Sequence, residues 1–324
     1  MVTPPSMSDI RAAHERIRPL IHRTPVMTCA TLDAMCGRRL FFKCENLQRV
    51  GAFKFRGACN AVLSLSDAEA VRGVCTHSSG NHAQALARAA RERGIPAWIV
   101  MPSTASSIKR LAVEGYGGTV IECEPTLEAR ETTAAAVMAD TGATFIHPYD
   151  DPRIIAGQAT TAIELIEQVD GLDAIVTPIG GGGLMSGTCL SASAIKPGIR
   201  LIGAEPAGAD DAARSLASGT FIPQTAPDTI CDGLLTSLSD LTWSILSTHL
   251  ETILRVRDEQ VLAAMQLLWE RAKCVVEPSS AIVLAAVLSD ECPLPPECRI
   301  GLILTGGNVS WPGGPVNPAR SGGV

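Results

Sequence analysis

The chain has no apolar run approaching the roughly 18 residues of a membrane-spanning helix. Its start, Met1-Val2-Thr3-Pro4-Pro5, lacks the charged and apolar regions of a signal peptide. A basic block is also missing. Lys and Arg total 27 against 33 Asp and Glu, giving a net charge of −6 and a pI near 5.6, which argues against a nucleic-acid surface. The eleven cysteines include no Cys-x-x-Cys and no His/Cys cluster at zinc spacing. They are scattered singly, most beside small or apolar residues as at Cys59, Cys189 and Cys274, and read as buried reduced thiols of a cytoplasmic protein. No internal repeat is present. What remains is a 324-residue chain, 46% hydrophobic and 19% charged, with core enough for one large or two medium domains.

Short apolar strands alternate with helical stretches. Ile10, Ala13 and Ile17 recur at helical spacing after Ser8, read as an N-cap, and Pro19 ends that helix. The clearer strands are 73–76, 97–101, 119–121, 143–146, 174–177, 201–204 and 301–304. Ala-rich helices such as 83–93 and 187–195 lie between them. Near-continuously apolar strands separated by helices predict an α/β architecture with buried, mostly parallel sheet. The Pro- and Gly-rich stretch from Trp311 reads as a loose tail.

Five segments carry candidate chemistry. Lys54 stands between Phe53 and Phe55 and next to Arg56, surroundings that would disfavour its charged form and lower its pKa. Lysines so treated form Schiff bases with carbonyl compounds. The same run also suits an edge-strand lysine with its stem packed on aromatics and its head in water. Thr76-His77-Ser78-Ser79-Gly80-Asn81-His82 follows a strand and opens a helix, a natural anion site that would suit an α-carboxylate; Asn81 with Gln84 also reads as a capping box. Gly180-Gly181-Gly182-Gly183-Leu184 lets backbone close around a phosphate. A dinucleotide fingerprint fails there, because the third glycine position falls on Met185 or Ser186. Glu205-Pro206-Ala207-Gly208-Ala209-Asp210-Asp211 offers carboxylates and carbonyls to an oxygen-loving cation, or simply solvated loop acids. Finally, Thr305 places a hydroxyl at the C-terminal end of a buried strand, where open α/β sheets bind ligands.

Taken in order, from Arg23-Thr24-Pro25-Val26 through Lys43-Cys44-Glu45-Asn46-Leu47-Gln48 to Gly306-Gly307-Asn308-Val309, these segments resemble the fold-type II pyridoxal-phosphate family of serine/threonine dehydratases and serine racemase. The resemblance implies two open twisted sheets with helices on both faces. A large domain would comprise residues 1–72 and 150–324, with a small domain inserted at 73–149. It implies pyridoxal 5'-phosphate bound to Lys54, flanked by Phe53, with Asn81 on the ring hydroxyl. The phosphate would lie in the Gly180 to Leu184 loop, and Thr305 would face the pyridine nitrogen. Ser78, Ser79, Asn81 and His82 would grip the substrate carboxylate. Glu205, Asp211 and the Ala209 carbonyl would match the family's divalent-cation site, for Mg²⁺, with Mn²⁺ or Ca²⁺ as alternatives.

The resemblance also implies a small amino acid as substrate, a homodimer, and α,β-elimination of water from a 3-hydroxy amino acid to give a 2-oxo acid and ammonia. Two residues divide the reading. Ser79 occupies the position of the second acid/base in related racemases, so Lys54 and Ser79 as two bases would invert the α-carbon instead. Arg130 aligns with a residue that can reach an acidic ligand and could clamp a second carboxylate, or could simply pair with a neighbouring acid of its helix. With the look of the 205–216 stretch, it points to 3-hydroxyaspartate over serine or threonine. The chain also ends too soon after Asn308 for the regulatory domain of biosynthetic threonine deaminases. A nicotinamide-dependent dehydrogenase would leave Lys54 unexplained, and a passive cofactor binder would have no need of Thr305.

Overall fold

The computed structural model describes residues 2–310, so the stretch from Trp311 lies outside the described residues. Ten strands are present among them: β1 (Val26–Met27), β2 (Arg39–Cys44), β3 (Val74–His77), β4 (Ala97–Pro102), β5 (Thr119–Cys123), β6 (Thr144–Phe145), β7 (Ala174–Pro178), β8 (Arg200–Pro206), β9 (Thr252–Val256) and β10 (Arg299–Leu304). They form two sheets, ordered β1-β2-β10-β7-β8-β9 and β5-β4-β3-β6. Every pairing is parallel except β1 with β2. The α/β architecture with two mostly parallel sheets is therefore as the sequence implied.

The smaller sheet is built wholly from residues between Val74 and Phe145. In the larger one, β10 lies between β2 and β7, and Leu302 stands opposite both Phe42 and Val176. All five residues of β7 are buried, because helices cover both faces of the sheet; an unbroken apolar run follows from that position. Helices Pro152–Gln168 and Gly183–Ile195 pack so closely that a Cβ on Gly187 would lie 2.6 Å from the Ala159 nitrogen.

Two local expectations are corrected. The first helix, Met7–Ile17, is capped by Ser6 rather than Ser8. Ser6 Oγ accepts from the Asp9 N–H at 3.2 Å while Asp9 takes the Ser6 N–H at 2.9 Å, a reciprocal box that Ser8 cannot form. Helix Asn81–Arg93 starts from Gly80 with no side-chain cap, so Asn81 and Gln84 are not a capping box. The eleven cysteines are all free, and no described helix is long and apolar enough to cross a membrane.

A buried ionic cluster ties the N-terminal segments together. The Arg56 guanidinium, wholly buried, donates to Glu45 at 2.7 Å and to Glu164 at 2.8 Å. Lys43 Nζ donates to Glu164 at 2.6 Å and to the Thr24 carbonyl at 2.8 Å, and Thr24 Oγ1 donates to Glu45 at 2.6 Å. Two cations face two carboxylates, so the buried charges balance. The Arg23-Thr24-Pro25 and Lys43-Cys44-Glu45 segments are thus scaffold, and they tie into the helix Lys54–Leu63 through Arg56.

Candidate active site

Strand C-termini of both sheets open onto one cavity of about 1530 Å³. It gathers Phe53, Lys54, Ser78, Ser79, Asn81, His82, Arg130, the Gly180 to Leu184 loop and Thr305, from segments spread over some 250 residues of chain. Glu205, Ala209 and Asp211 lie outside it.

Lys54 is the first residue of its helix, not an edge-strand residue. Its Nζ donates to the Pro148 carbonyl at 2.9 Å and stands 5.2 Å from the Phe53 ring centre. Burial pushes its pKa down to about 8, partly opposed by the carboxylate of Glu277. The direction is the one expected, but the cause is corrected: Arg56 points away into the ionic cluster and Phe55 packs in the core beside Ala58 and Val62. Residues one and two apart on a helix face different directions.

The Gly180 to Leu184 loop leads from β7 into helix Gly183–Ile195, with Gly182 at φ 82°. None of the amides of Gly180 to Leu184 donates to an acceptor among the described residues, so the loop presents N–H groups at a helix N-terminus. The glycines are also required by packing. A Cβ on Gly181 would lie 2.2 Å from the Tyr149 ring, and one on Gly182 2.7 Å from Leu238.

On the opposite wall, Ser78 Oγ accepts the Gly80 N–H at 3.3 Å, while Ser79 makes no hydrogen bond among the described residues. Asn81 is engaged elsewhere: its amide donates to Glu277 at 2.9 Å and its carbonyl accepts from Asn308 at 2.8 Å. His82 meets the cavity through its backbone. Its ring is buried, Nε2 donates to the Ile146 carbonyl at 3.1 Å, and burial pushes its pKa to about 3, so only its backbone N–H remains for an anion. Arg130, on helix Leu127–Thr141, donates only to the Thr126 carbonyl at 3.4 Å and has no acidic partner among the described residues. Thr305 is buried at the end of β10, and its carbonyl receives the Phe53 N–H at 2.9 Å.

Among the cavity residues that the sequence did not single out are Glu277, whose carboxyl burial pushes up to about 7, His147 and Tyr149. No local pattern marks them; they reach the cavity only through long-range packing.

These residues suit a pyridoxal cofactor. A buried amine of depressed pKa, a loop of free amides and a hydroxyl at a strand terminus match its aldehyde, phosphate and ring nitrogen. The pattern described as pyridoxal-phosphate dependent enzyme matches residues 17–306. The chain belongs to that family, as a fold-type II member. It is 53% identical over 309 residues to the beta-hydroxyaspartate dehydratase of Paracoccus denitrificans, covering 94% of this chain and 96% of that one. It is equally, 53%, identical over 305 residues to the serine racemase of Arabidopsis thaliana, covering 93% and 92%. The structure of maize serine racemase superposes with a TM-score of 0.93 at 47% identity, covering 95% of each chain. The chain is thus a pyridoxal-phosphate enzyme of the racemase and dehydratase group.

Proposed function

We propose that the enzyme removes water from 3-hydroxyaspartate, giving oxaloacetate and ammonia, in preference to serine or threonine. The observation that carries this reading is Arg130, a cation facing the cavity without an acidic partner. An unpaired guanidinium there suits a second substrate carboxylate, which it can bind bidentately. When bound, pyridoxal phosphate supplies the electron sink that makes the α-proton removable. Lys54 Nζ, lowered towards neutrality, takes that proton. The Cβ–O bond breaks and the hydroxyl leaves as water with an added proton. Ser78, the Asn81 and His82 amides and the helix N-terminus orient the α-carboxylate. The released enamine tautomerises and is hydrolysed, returning the water and freeing ammonia.

The same reading includes a divalent cation, Mg²⁺, Mn²⁺ or Ca²⁺, at Glu205, Asp211 and the Ala209 carbonyl, where both Glu205 oxygens also accept backbone N–H groups, from Ala212 at 3.1 Å and Ala213 at 2.8 Å. Both carboxylates are buried, which pushes Glu205 to about 8 and Asp211 to about 6, and Asp211 Oδ2 is buried without a partner. No cluster of three or more His, Cys, Asp or Glu is placed to hold a metal among the described residues. The site therefore rests on two carboxylates, a carbonyl and water.

A second reading, racemisation, is favoured by one observation: Ser79 lines the cavity with no hydrogen-bond partner among the described residues, available as a second base. The test is to incubate the holoenzyme with L-serine, L-threonine and the 3-hydroxyaspartate stereoisomers, with and without chelator, and follow oxo acid, ammonia and chirality together. Fastest ammonia release from a 3-hydroxyaspartate isomer is expected, with Arg130→Ala losing that preference by about tenfold or more. An unchanged preference in Arg130→Ala would sink the carboxylate clamp. Inversion without ammonia would establish the racemase.

A further inference from the structure

His147 lies on the cavity wall between β6 and helix Pro152–Gln168. Its Nδ1 accepts two backbone N–H groups, from Tyr149 at 3.3 Å and from Asp150 at 2.8 Å. A nitrogen that accepts cannot carry the proton, so the neutral ring is the tautomer with its hydrogen on Nε2. Burial favours that neutral ring, pushing the imidazole down to about 4. The ring is also held on two sides, edge-on to Tyr149 at 4.6 Å and 89° and against Phe145 at 6.2 Å. Nε2 has no acceptor among the described residues and is not sealed in the core. It is therefore an oriented donor on the cavity side.

The next residue fixes where that donor stands. The Pro148 carbonyl accepts from Lys54 Nζ at 2.9 Å, so His147 is one residue from the contact that anchors the amine. A substrate whose α-proton is within reach of Lys54 has its β-carbon one bond further on. Arg130 lines the same cavity and its charge acts on His77, whose ring lies tilted against Phe145 at 5.4 Å, the ring that also meets His147. A carboxylate has about four lone-pair sites and a guanidinium fork satisfies only part of them.

We propose that His147 is a specificity-determining residue whose Nε2–H donates to the second carboxylate of a dicarboxylic hydroxy amino acid, alongside Arg130. The inference rests on the dehydratase reading above and deepens it. A neutral imidazole N–H is too weak an acid to surrender its proton, so the residue positions and selects.

Two variants separate the donor from the turn it supports. His147→Asn keeps an acceptor for the Tyr149 and Asp150 amides but cannot reach the Nε2 position. His147→Gln places an amide N–H near that position. For the holoenzyme, His147→Asn is expected to raise the KM for 3-hydroxyaspartate about tenfold or more, with kcat and the constants for serine changing far less. His147→Gln should recover most of the loss. Calorimetry provides a reading independent of turnover: succinate should bind His147→Asn about tenfold more weakly than wild type, whereas propionate binding should not change. Equal losses with serine and 3-hydroxyaspartate, a Gln variant no better than Asn, or unchanged succinate binding would overturn the proposal. If the wild type releases ammonia from neither substrate, the dehydratase reading fails, and succinate binding still decides the role of His147.

Discussion

On the reading that Lys54 holds the cofactor, its amine captures the aldehyde only as the free base, so the pH at which it loses its proton should set how fast the apoprotein takes up pyridoxal phosphate. With the pKa near 8, that rate should rise about tenfold per pH unit below 8 and level off above it. A plateau near 10.4, the value of a solvated lysine, would remove burial from the account. Glu277 opposes burial, since its negative charge favours the ammonium. Its own carboxyl titrates near 7, so it is mostly ionised at pH 8. Glu277→Gln should therefore move the plateau to lower pH, as read by stopped-flow absorbance of cofactor capture. For stability the sign is explicit: Lys54 is lowered from 10.5 to about 8 on folding, so the unfolded chain binds its proton more tightly. Its contribution is unfavourable below 8 and becomes less so as pH rises towards 10.5. Lys54, the glycines and Thr305 were legible in the sequence because their chemistry demands particular residue types in particular local settings. Arg56 was misread because nearness in sequence was taken for nearness in space, whereas its partners lie 11 and 108 residues away.

Among the elements, the turn from β7 into helix Gly183–Ile195 shows how one segment serves packing and binding together. Tyr149 lies against Gly181 and Gly183, so the loop proposed to hold the phosphate is pressed into shape by a side chain from another connection. A methyl group on Gly181 must displace that ring. Gly181→Ala is expected to cost about 1–3 kcal/mol of stability through overpacking and to weaken cofactor binding. Combined with Tyr149→Ala, which opens the space, it should add much less, a coupling that a double-mutant cycle on thermal melting would measure. Additive losses would mean that Gly181 is needed for its backbone alone. The strands most readily found in the sequence were those covered on both faces, such as β7 and β8. Those missed have mixed character. β2 carries Lys43, a buried charge that looks like a surface residue until Glu164 is placed beside it. β9 is an edge strand with Arg255 exposed, and β1 has only two residues.

At the scale of the whole molecule, the cavity lies between the two sheets, and an ion pair crosses its rim. Lys109, on helix Ser107–Gly115 beside the small sheet, reaches Asp232 at 3.1 Å in the turn that follows the β8 side of the larger sheet. Both residues line the cavity and both are partly exposed. An exposed pair is worth at most about 1 kcal/mol, which corresponds to about fivefold in an equilibrium constant. Neither residue hydrogen-bonds to Lys54, and their two charges act on Glu277 in opposite directions, Asp232 raising its carboxyl and Lys109 lowering it. Lys109→Met is therefore expected to raise KM by about two- to fivefold with kcat little changed, and to leave the melting temperature nearly unaltered, as surface substitutions do. Salt supplies the decisive arm, because the Debye length falls from about 10 Å at 0.1 M to about 3 Å at 1 M. Raising ionic strength over that range should bring the wild-type KM up to that of the variant while the variant itself scarcely moves. A KM difference that survives 1 M salt would mean that Lys109 acts by packing its stem against the rim, not by its charge.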